Sequence, residues 1–380
     1  MKIPLSSPDI TEAEIEAVVA VLRTSRLSLG PVTEQFESAV AEFVSLPHAV
    51  AVSSGTAGLH LCIRALGIGD GDEVIVPSFT FIAAANAIRY ERALPVFADI
   101  DATTLNLDPQ RIEEAITART RAIVVVHTFG IPADMPAILE IAERHRLLVI
   151  EDACEAIGAE HTGRKAGSMG HAGVFAFYPN KQITTGEGGM VVTRDEALAR
   201  RIRALRNQGR YETDDWFQHT ELGYNYRISD LNCALGLAQM TRLEEILQKR
   251  AAVAAAYHQR LNRYQDLILP QMTFPGGRIS WFVYVVRLGA GSPLQRDHIL
   301  RGLAAAGIGC GRYFAPIHLQ PGYAAWRNSA HLPVTEAVAV RTIALPFFNR
   351  LGAAAIDEVC DALGAFLLPG QDRRAGFGLG

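Results

Sequence analysis

Two segments of the chain carry residues suited to binding an anion and a cation. The sequence SSGTAG at residues 53–58 separates a strand-like run from a helical run. Small residues let a backbone approach a phosphate closely, and the N–H groups that begin a helix favour negative charge. The apolar run 147–150 ends in two carboxylates, Glu151 and Asp152. Ligands of open α/β sheets sit beyond the carboxyl ends of the strands, so Asp152 could pair with a protonated pyridine nitrogen. Taken singly, an ordinary N-capped helix and a capped turn explain these two segments as well or better.

A lysine in a third segment could form a covalent bond to a carbonyl compound. Lys181 follows the apolar run GVFAFY and precedes the glycine-rich sequence TTGEGG. Most lysines are solvated surface residues. Aromatic and turn residues on either side of this one could shield its amine from water, which favours the neutral, nucleophilic form that a Schiff-base lysine needs.

The three segments together match the parts of a pyridoxal-phosphate site. That cofactor needs a phosphate anchor, a carboxylate that keeps its ring nitrogen protonated, and an amine. The chain supplies them in order with the SSGT turn, Asp152 and Lys181. The sequence therefore predicts pyridoxal 5'-phosphate as cofactor.

The surrounding pattern predicts an α/β fold that can position these residues. From about residue 49 to 195, short apolar runs such as EVIVP and AIVVV alternate with longer helical runs. Fully apolar short strands separated by helices indicate parallel strands covered on both faces. We predict a large α/β domain over residues 1–250, a smaller α+β domain over 251–368 and a flexible tail over 369–380.

Helix signals complete this outline. Thr11 and Glu14 form a capping-box pattern ahead of a helix, and a second helix is expected around residues 32–44. The stretch 228–264 reads as one long helix that connects the two domains.

Composition excludes several classes of partner. The net charge is −4 with acidic and basic residues interspersed, so neither a nucleic-acid surface nor a polybasic membrane patch is indicated. The five cysteines show no C-x-x-C pair, and His161 and His171 lack ligand spacing, so no metal site is predicted. With no signal-like or membrane-spanning apolar run, a cytoplasmic enzyme is expected.

Over nearly its whole length the chain resembles the DegT/StrS family of nucleotide-sugar aminotransferases. The resemblance is carried by SSGTAGL, VPSFTFIAAANAI, EDACEAIGAEHTGRKAGSMG, YPNKQITTGEGGMVVT and LGYNYRISDLNCALGLAQ. The lysine and NYR segments are the most specific. This family has the aspartate-aminotransferase-like fold, so the resemblance implies a mostly parallel sheet and pyridoxal phosphate.

The resemblance also implies roles for individual residues. Lys181 would carry the cofactor as a Schiff base and Asp152 would pair with the pyridine nitrogen. Gly55 and Thr56 would hold the phosphate, and Phe81 would stack on the ring. Asn225 would reach the phosphate of the neighbouring subunit's cofactor, which makes the enzyme a homodimer with shared active sites.

Substrate residues and two departures follow from the same comparison. Tyr313 and His318 belong to the segment that lines the sugar side of the pocket, and Arg227 is a further candidate for binding a carboxylate or phosphate. Relatives often have serine five residues before the lysine, where this chain has Ala176. They often have Gln or His three residues after the aspartate, where this chain has Glu155, which would lie near the cofactor.

The implied reaction moves an amino group from an amino acid, expected to be glutamate, to a keto sugar linked to a nucleotide diphosphate. An aminotransferase for a cyclitol or another non-nucleotide ketone remains an alternative. Dehydratases of the same family carry His in place of Lys181. A dinucleotide-dependent oxidoreductase is disfavoured because GIGDG at residues 67–71 follows a helix and precedes a strand. A cofactor-fold regulator is disfavoured because Lys181 and Asp152 are both present.

Overall fold

Short apolar runs form strands and the longer amphipathic runs between them form helices. The computed structural model describes residues 1–326 and 331–367. The strands are β1 His48–Val52, β2 Glu73–Pro77, β3 Leu94–Ala98, β4 Thr120–Val126, β5 Leu148–Asp152, β6 Glu160–His161, β7 Arg164–Lys165, β8 Ala172–Ala176, β9 Gly189–Thr193, β10 Leu267–Ile268, β11 Gly277–Arg278, β12 Tyr284–Leu288 and β13 Thr342–Leu345. The helices are α1 Glu12–Leu22, α2 Pro31–Val44, α3 Gly55–Ala65, α4 Ala83–Tyr90, α5 Pro109–Ala115, α6 Met135–His145, α7 Glu196–Arg206, α8 Asp230–Thr241, α9 Leu243–Leu261, α10 Arg296–Ala305, α11 Pro333–Ala339 and α12 Ala353–Leu367.

The central sheet has seven strands in the order β1-β9-β8-β5-β4-β2-β3. All run parallel except β9, which pairs antiparallel with both β1 and β8. This is the mostly parallel α/β sheet that the sequence predicts. The carboxyl ends of the parallel strands therefore lie at the same end of the central sheet.

Helices cover both faces of this sheet because side chains alternate along each strand. On β1, Val50 packs into a cluster with α3, α4 and α7 residues, whereas Ala51 packs on the other side with residues of α2, α8 and α9. The predicted capping box also forms: Thr11 N donates to Glu14 Oε2 at 2.6 Å and begins α1.

A smaller antiparallel sheet, β10-β12-β13, follows in the chain. Its apolar side packs with residues of α9, α10 and α12, and Ile3 from the start of the chain joins that cluster. The secondary structure after residue 251 is thus α+β as expected. The boundary itself, at residues 250–251, stays a prediction.

The single long helix predicted over residues 228–264 is wrong. Two helices, α8 and α9, meet at Arg242, whose φ of −110° departs from helical geometry. Its guanidinium donates to Glu14 Oε1 at 2.7 Å, so tertiary contacts with α1 accompany the break. The predicted tail over 369–380 lies outside the described residues. Within 1–326 and 331–367, no helix combines the length and apolarity needed to cross a bilayer.

Candidate active site

The register of the central sheet aligns the segments that the sequence singled out. Val52 pairs with Gly189, Gly189 pairs with Ala176, and Asp152 pairs with Val174. The turns that follow β1, β5 and β8 therefore emerge side by side. They carry the SSGT sequence, Asp152 and Lys181, respectively.

The turn after β1 forms an anion cradle at the N-terminus of α3. Ser54 is the N-cap and its Oγ accepts from Ala57 N at 3.0 Å. Among the described residues, the N–H groups of Gly55 and Thr56 have no hydrogen-bond acceptor. Orphan N–H groups at a helix start, together with the helix dipole, bind anions such as phosphate.

Glycine is required at position 55 because the start of α3 packs tightly against the end of β8 and the turn after β5. A Cβ on Gly55 would lie 2.7 Å from Ala176 Cβ and 2.9 Å from Cys154 Sγ. The cleft beside it has a volume of about 230 Å³ and is lined by Ser53, Ser54, Thr56, Ala57, Tyr90 and Tyr226.

Asp152 is the last residue of β5, and only 7% of its surface is exposed. Its Oδ1 accepts from Cys154 N at 3.1 Å, which fixes the turn that follows. This is the turn-capping role that the sequence allows, and the Cys154 thiol also hydrogen-bonds to the Asp152 carboxylate.

Lys181 lies in the turn between β8 and β9, and its side chain is 13% exposed. Its Nζ is 3.7 Å from Glu155 Oε1 and 4.1 Å from the centroid of the Phe282 ring. The ring shields one side of the amine and the carboxylate faces another. The amine is thus held in a site largely closed to water, as a nucleophilic lysine requires.

Glu155 is buried beneath Lys181 and points toward it. Its Oε2 accepts from Phe129 N at 3.0 Å. Burial raises the pKa of Glu155; the Lys181 charge and the Phe129 N–H oppose this, while Asp152 adds to it.

The segment around Tyr313 approaches this group from the other side. Burial, with a further contribution from Glu155, raises the pKa of Tyr313, whose hydroxyl also hydrogen-bonds to the Asn180 side chain. The Tyr313 ring is parallel to that of Phe282 at 6.2 Å. Tyr313 therefore lies in the same cluster as Lys181 and Glu155.

The remaining predicted residues lie at different distances from this cluster. Phe81 precedes α4 and is 63% exposed, which leaves its ring face free for stacking. His318 is fully buried: Nδ1 is 2.7 Å from Ser78 Oγ and Nε2 is 3.2 Å from Glu336 Oε1. Both of its ring nitrogens already have partners, and neither Ser78 nor Glu336 belongs to the cluster around Lys181.

The NYR segment runs beside the anion cradle. Tyr226 O accepts from Ser53 N at 2.8 Å, and Asn225 forms a bridge with Asn207. The Asn225 side chain is exposed. Arg227 Nη1 donates to Asn207 Oδ1 at 3.2 Å, so its guanidinium is already engaged in holding this segment.

Several residues of the site escaped the sequence reasoning. Phe282 and Phe129 come from distant segments and meet because Phe282 N donates to Phe129 O at 3.2 Å. Gln182 Nε2 bonds to Glu155 O at 2.6 Å and Ser280 Oγ at 3.0 Å, which ties the lysine turn to both. The position of Gln182, next to the lysine, was the one available signal.

These residues fit pyridoxal phosphate. The orphan N–H groups at Gly55 and Thr56 suit its phosphate, and Asp152 suits a protonated ring nitrogen. Asn180 Oδ1, next to Lys181, is buried and has no hydrogen-bond partner within residues 1–326 and 331–367, as expected where a ligand supplies one. The donor set, brought together at the carboxyl ends of the strands, suits a carbonyl cofactor bound through a lysine.

Comparison with known proteins identifies the family. The sequence matches the DegT/DnrJ/EryC1/StrS aminotransferase family over residues 8–364, and the chain belongs to this family. It is 42% identical to a GDP-perosamine synthase of Caulobacter vibrioides over 97% of this chain and 99% of that protein. It is 39% identical to the spore coat polysaccharide biosynthesis protein SpsC of Bacillus subtilis over 95% and 96% of the two chains. Among solved structures, the PLP form of a putative sugar aminotransferase from Streptococcus pneumoniae superposes with a TM-score of 0.90 at 28% identity, over 96% of this chain and 98% of that one.

The chain is therefore an aminotransferase with an aspartate-aminotransferase-like fold, and its cofactor is pyridoxal phosphate. The predictions of fold, family and cofactor are confirmed. The roles of the individual site residues stay predictions that rest on the geometry above.

Proposed function

We propose that this enzyme transfers an amino group from an amino acid, with glutamate as the expected donor, to a keto sugar carried on a nucleoside diphosphate. The observation that carries this proposal is the buried Lys181 amine, which lies at the same end of the central sheet as Asp152 and the α3 anion cradle. Similarity to a GDP-perosamine synthase and to a polysaccharide biosynthesis protein supports a nucleotide-linked sugar as acceptor and a role in polysaccharide biosynthesis.

Each residue of the site has a defined task in this reaction. When bound, the cofactor supplies a carbonyl that condenses with amines and a pyridinium ring that accepts the electrons of the broken bond. Asp152 supplies the negative charge that favours the protonated ring nitrogen. Lys181 takes a proton from the donor's α-carbon and returns a proton to the acceptor carbon in the second half of the reaction. Phe282 restricts water around the amine, which favours the neutral, nucleophilic form of Lys181.

Substrate binding falls to the segments around this centre. Tyr313 faces the Lys181–Glu155 cluster and is the strongest candidate for the residue that binds a hydroxyl of the sugar. Arg227 holds the NYR segment through its hydrogen bond to Asn207. His318 holds the segment after β2 through its hydrogen bond to Ser78.

Replacement of Lys181 tests the reaction class. The K181A and K181R proteins should lose the visible absorbance of the lysine–cofactor bond and all measurable turnover, because neither side chain offers a comparable nucleophilic amine. The matched control is K165R, because Lys165 lies in the short strand β7 and pairs with Glu160 of β6. K165R should keep both the absorbance and the turnover. Full turnover in K181A would disprove the assignment.

The acceptor is tested with a panel of ketones. The amine-loaded enzyme, prepared with glutamate, is mixed with nucleotide-linked 3-keto and 4-keto sugars and with a cyclitol ketone, and the return of visible absorbance is followed. A nucleotide-linked sugar should restore the absorbance fastest. Restoration by the cyclitol ketone alone would favour the other substrate class, and failure of glutamate to bleach the enzyme would exclude it as donor.

The enzyme works as a homodimer with shared active sites. Supporting observations are the exposed Asn225 beside the anion cradle and the exposed apolar side chains of Ile15, Leu22, Leu27 and Leu29 in and after α1. Mixing the inactive variants K181A and N225A under conditions that exchange subunits should restore about a quarter of the activity, because half the dimers are hybrids with one intact site each. No recovery in proven hybrids would refute a shared site.

A further inference from the structure

The Lys181 amine faces a carboxylate that the cofactor's ring nitrogen does not need. Glu155 Oε1 lies 3.7 Å from Lys181 Nζ, and both side chains are at least 87% buried. Asp152, three residues earlier, already ends the strand beside the site. The chain thus holds two buried carboxylates near one lysine.

The other contacts of Glu155 do not require its charge. Oε2 accepts from the N–H of Phe129, and a neutral amide oxygen would accept that bond equally well. Gln182 bonds to the backbone carbonyl of Glu155 and is independent of the side chain. Among the described residues, Lys181 is the one cation that pairs with this carboxylate. A charge buried at this depth is costly unless it is paired, so its retention points to Lys181.

The ionisable groups that face the pair come from each element packed around it. Asp152 and Cys154 approach from the end of β5 and Tyr313 from the segment before α11. Burial raises the pKa of Glu155, of the Cys154 thiol and of the Tyr313 hydroxyl. Cys154 and Tyr313 therefore remain neutral in the pH range where the Glu155 carboxyl ionises. Because the Lys181 charge lowers the pKa of Glu155, the carboxyl ionises most readily while Lys181 is cationic.

We propose that Glu155 is the counter-ion of Lys181 and thereby positions the amine and sets the pH range in which it exchanges protons. This inference rests on the proposed function, in which Lys181 moves the protons. When the amine is free, the pair holds it beneath Phe282. When the nitrogen is bonded to the cofactor, the same carboxylate favours its protonated form. Glu155 acts through Lys181 and is a positioning residue.

The test is a pH titration of the visible absorbance of the cofactor-loaded enzyme. Removing a negative charge within 4–6 Å of a cation disfavours the protonated form, so the midpoint for E155Q should fall by about one to three pH units. E155D keeps the negative charge but places it farther from the Lys181 nitrogen, so its midpoint should fall less than that of E155Q. Glutamine can still accept the Phe129 N–H, so E155Q retains that contact.

The matched control is E73Q, which removes a buried carboxylate at the amino end of β2, the end of the parallel strands opposite the site. Its midpoint should equal that of the wild type. An E155Q midpoint equal to the wild type, or an E73Q shift as large as that of E155Q, would overturn the inference. If E155Q does not fold, an unshifted E155D overturns it and a lowered midpoint supports it.

The absorbance readout separates this inference from the proposed function. A wild-type enzyme with no transaminase activity on any sugar would refute the proposed function while leaving the titration interpretable. A normal wild-type reaction with no midpoint shift in either Glu155 variant would refute only the role of Glu155.

Discussion

The replacement of Gly55 by alanine should weaken cofactor binding more than the addition of a methyl group at any other position of α3. The new Cβ would lie 2.7 Å from Ala176 Cβ and 2.9 Å from Cys154 Sγ. Both neighbours are short side chains fixed in or beside strands, so neither can swing away. The start of α3, with its two orphan N–H groups, must therefore move off β8.

The size of the effect follows from this overlap. Carbon atoms normally pack at about 3.5–4.0 Å, so the helix start must shift by about 1 Å. Overpacking of this kind costs about 1–3 kcal/mol. If that cost appears as displaced N–H donors, the apparent dissociation constant for pyridoxal phosphate rises by about 5–150-fold.

The assay is a titration of cofactor-depleted protein with pyridoxal phosphate, followed by visible absorbance, with a thermal melt of the same samples. The matched control is G58A on the same helix, where a Cβ would lie 2.7 Å from Val174 Cγ1 but not beside the cradle. Both variants should melt earlier than the wild type. G55A alone should bind the cofactor markedly more weakly.

Equal cofactor affinity in G55A and the wild type would refute this reasoning. It would mean that the orphan N–H groups of Gly55 and Thr56 do not contribute to the phosphate site. An equal loss of affinity in G58A would show that general loosening of the helix, and not the position of the cradle, controls binding.

Two further predictions concern stability. Burial alone would raise the pKa of Glu14, but hydrogen bonds from Thr11, Gln239 and Arg242 outweigh it and lower that pKa to about 2. A lowered folded-state pKa contributes stability that is complete above the unfolded value near 4.5 and is lost as the pH falls toward 2. Urea unfolding from pH 7 to 3 should therefore show a smaller acid-induced loss in E14Q than in the wild type; parallel curves would contradict this. Glu151 is fully buried and accepts from His127 and from the N–H groups of Gly167, Met169 and Gly170. E151A should lower the free energy of unfolding by about 3–5 kcal/mol, since it strands these donors; a loss below 1 kcal/mol would show that water replaces the carboxylate.

The sequence predicted most of the central sheet and the three functional segments. Apolar runs of four or five residues, at 74–77 in β2 and 122–126 in β4, are buried on both faces, so their strand character is readable without knowledge of their neighbours. Lys181 and Asp152 could be singled out because each follows such a run. The capping box at Thr11 was readable because its two partners are three residues apart.

The errors and omissions arise where distant segments meet. The helical pattern over 228–264 is continuous, yet the chain breaks at Arg242, where contacts to Glu14 and Asp9 replace helical geometry. Local propensity carries no record of a partner more than 200 residues away. For the same reason, His318 looked available to a substrate, whereas Ser78 and Glu336 occupy both of its nitrogens.

By itself, the sequence determined that this chain builds a mostly parallel sheet with a lysine, an aspartate and a glycine-rich helix start at strand ends. These features depend on residue type and local spacing. Only the tertiary structure decided the surroundings of the lysine amine: Phe282 on one side, Glu155 on another and Tyr313 beyond. Those groups come from segments about 25 to 130 residues away, and sheet order and domain packing alone bring them within the few ångströms over which charge and burial act.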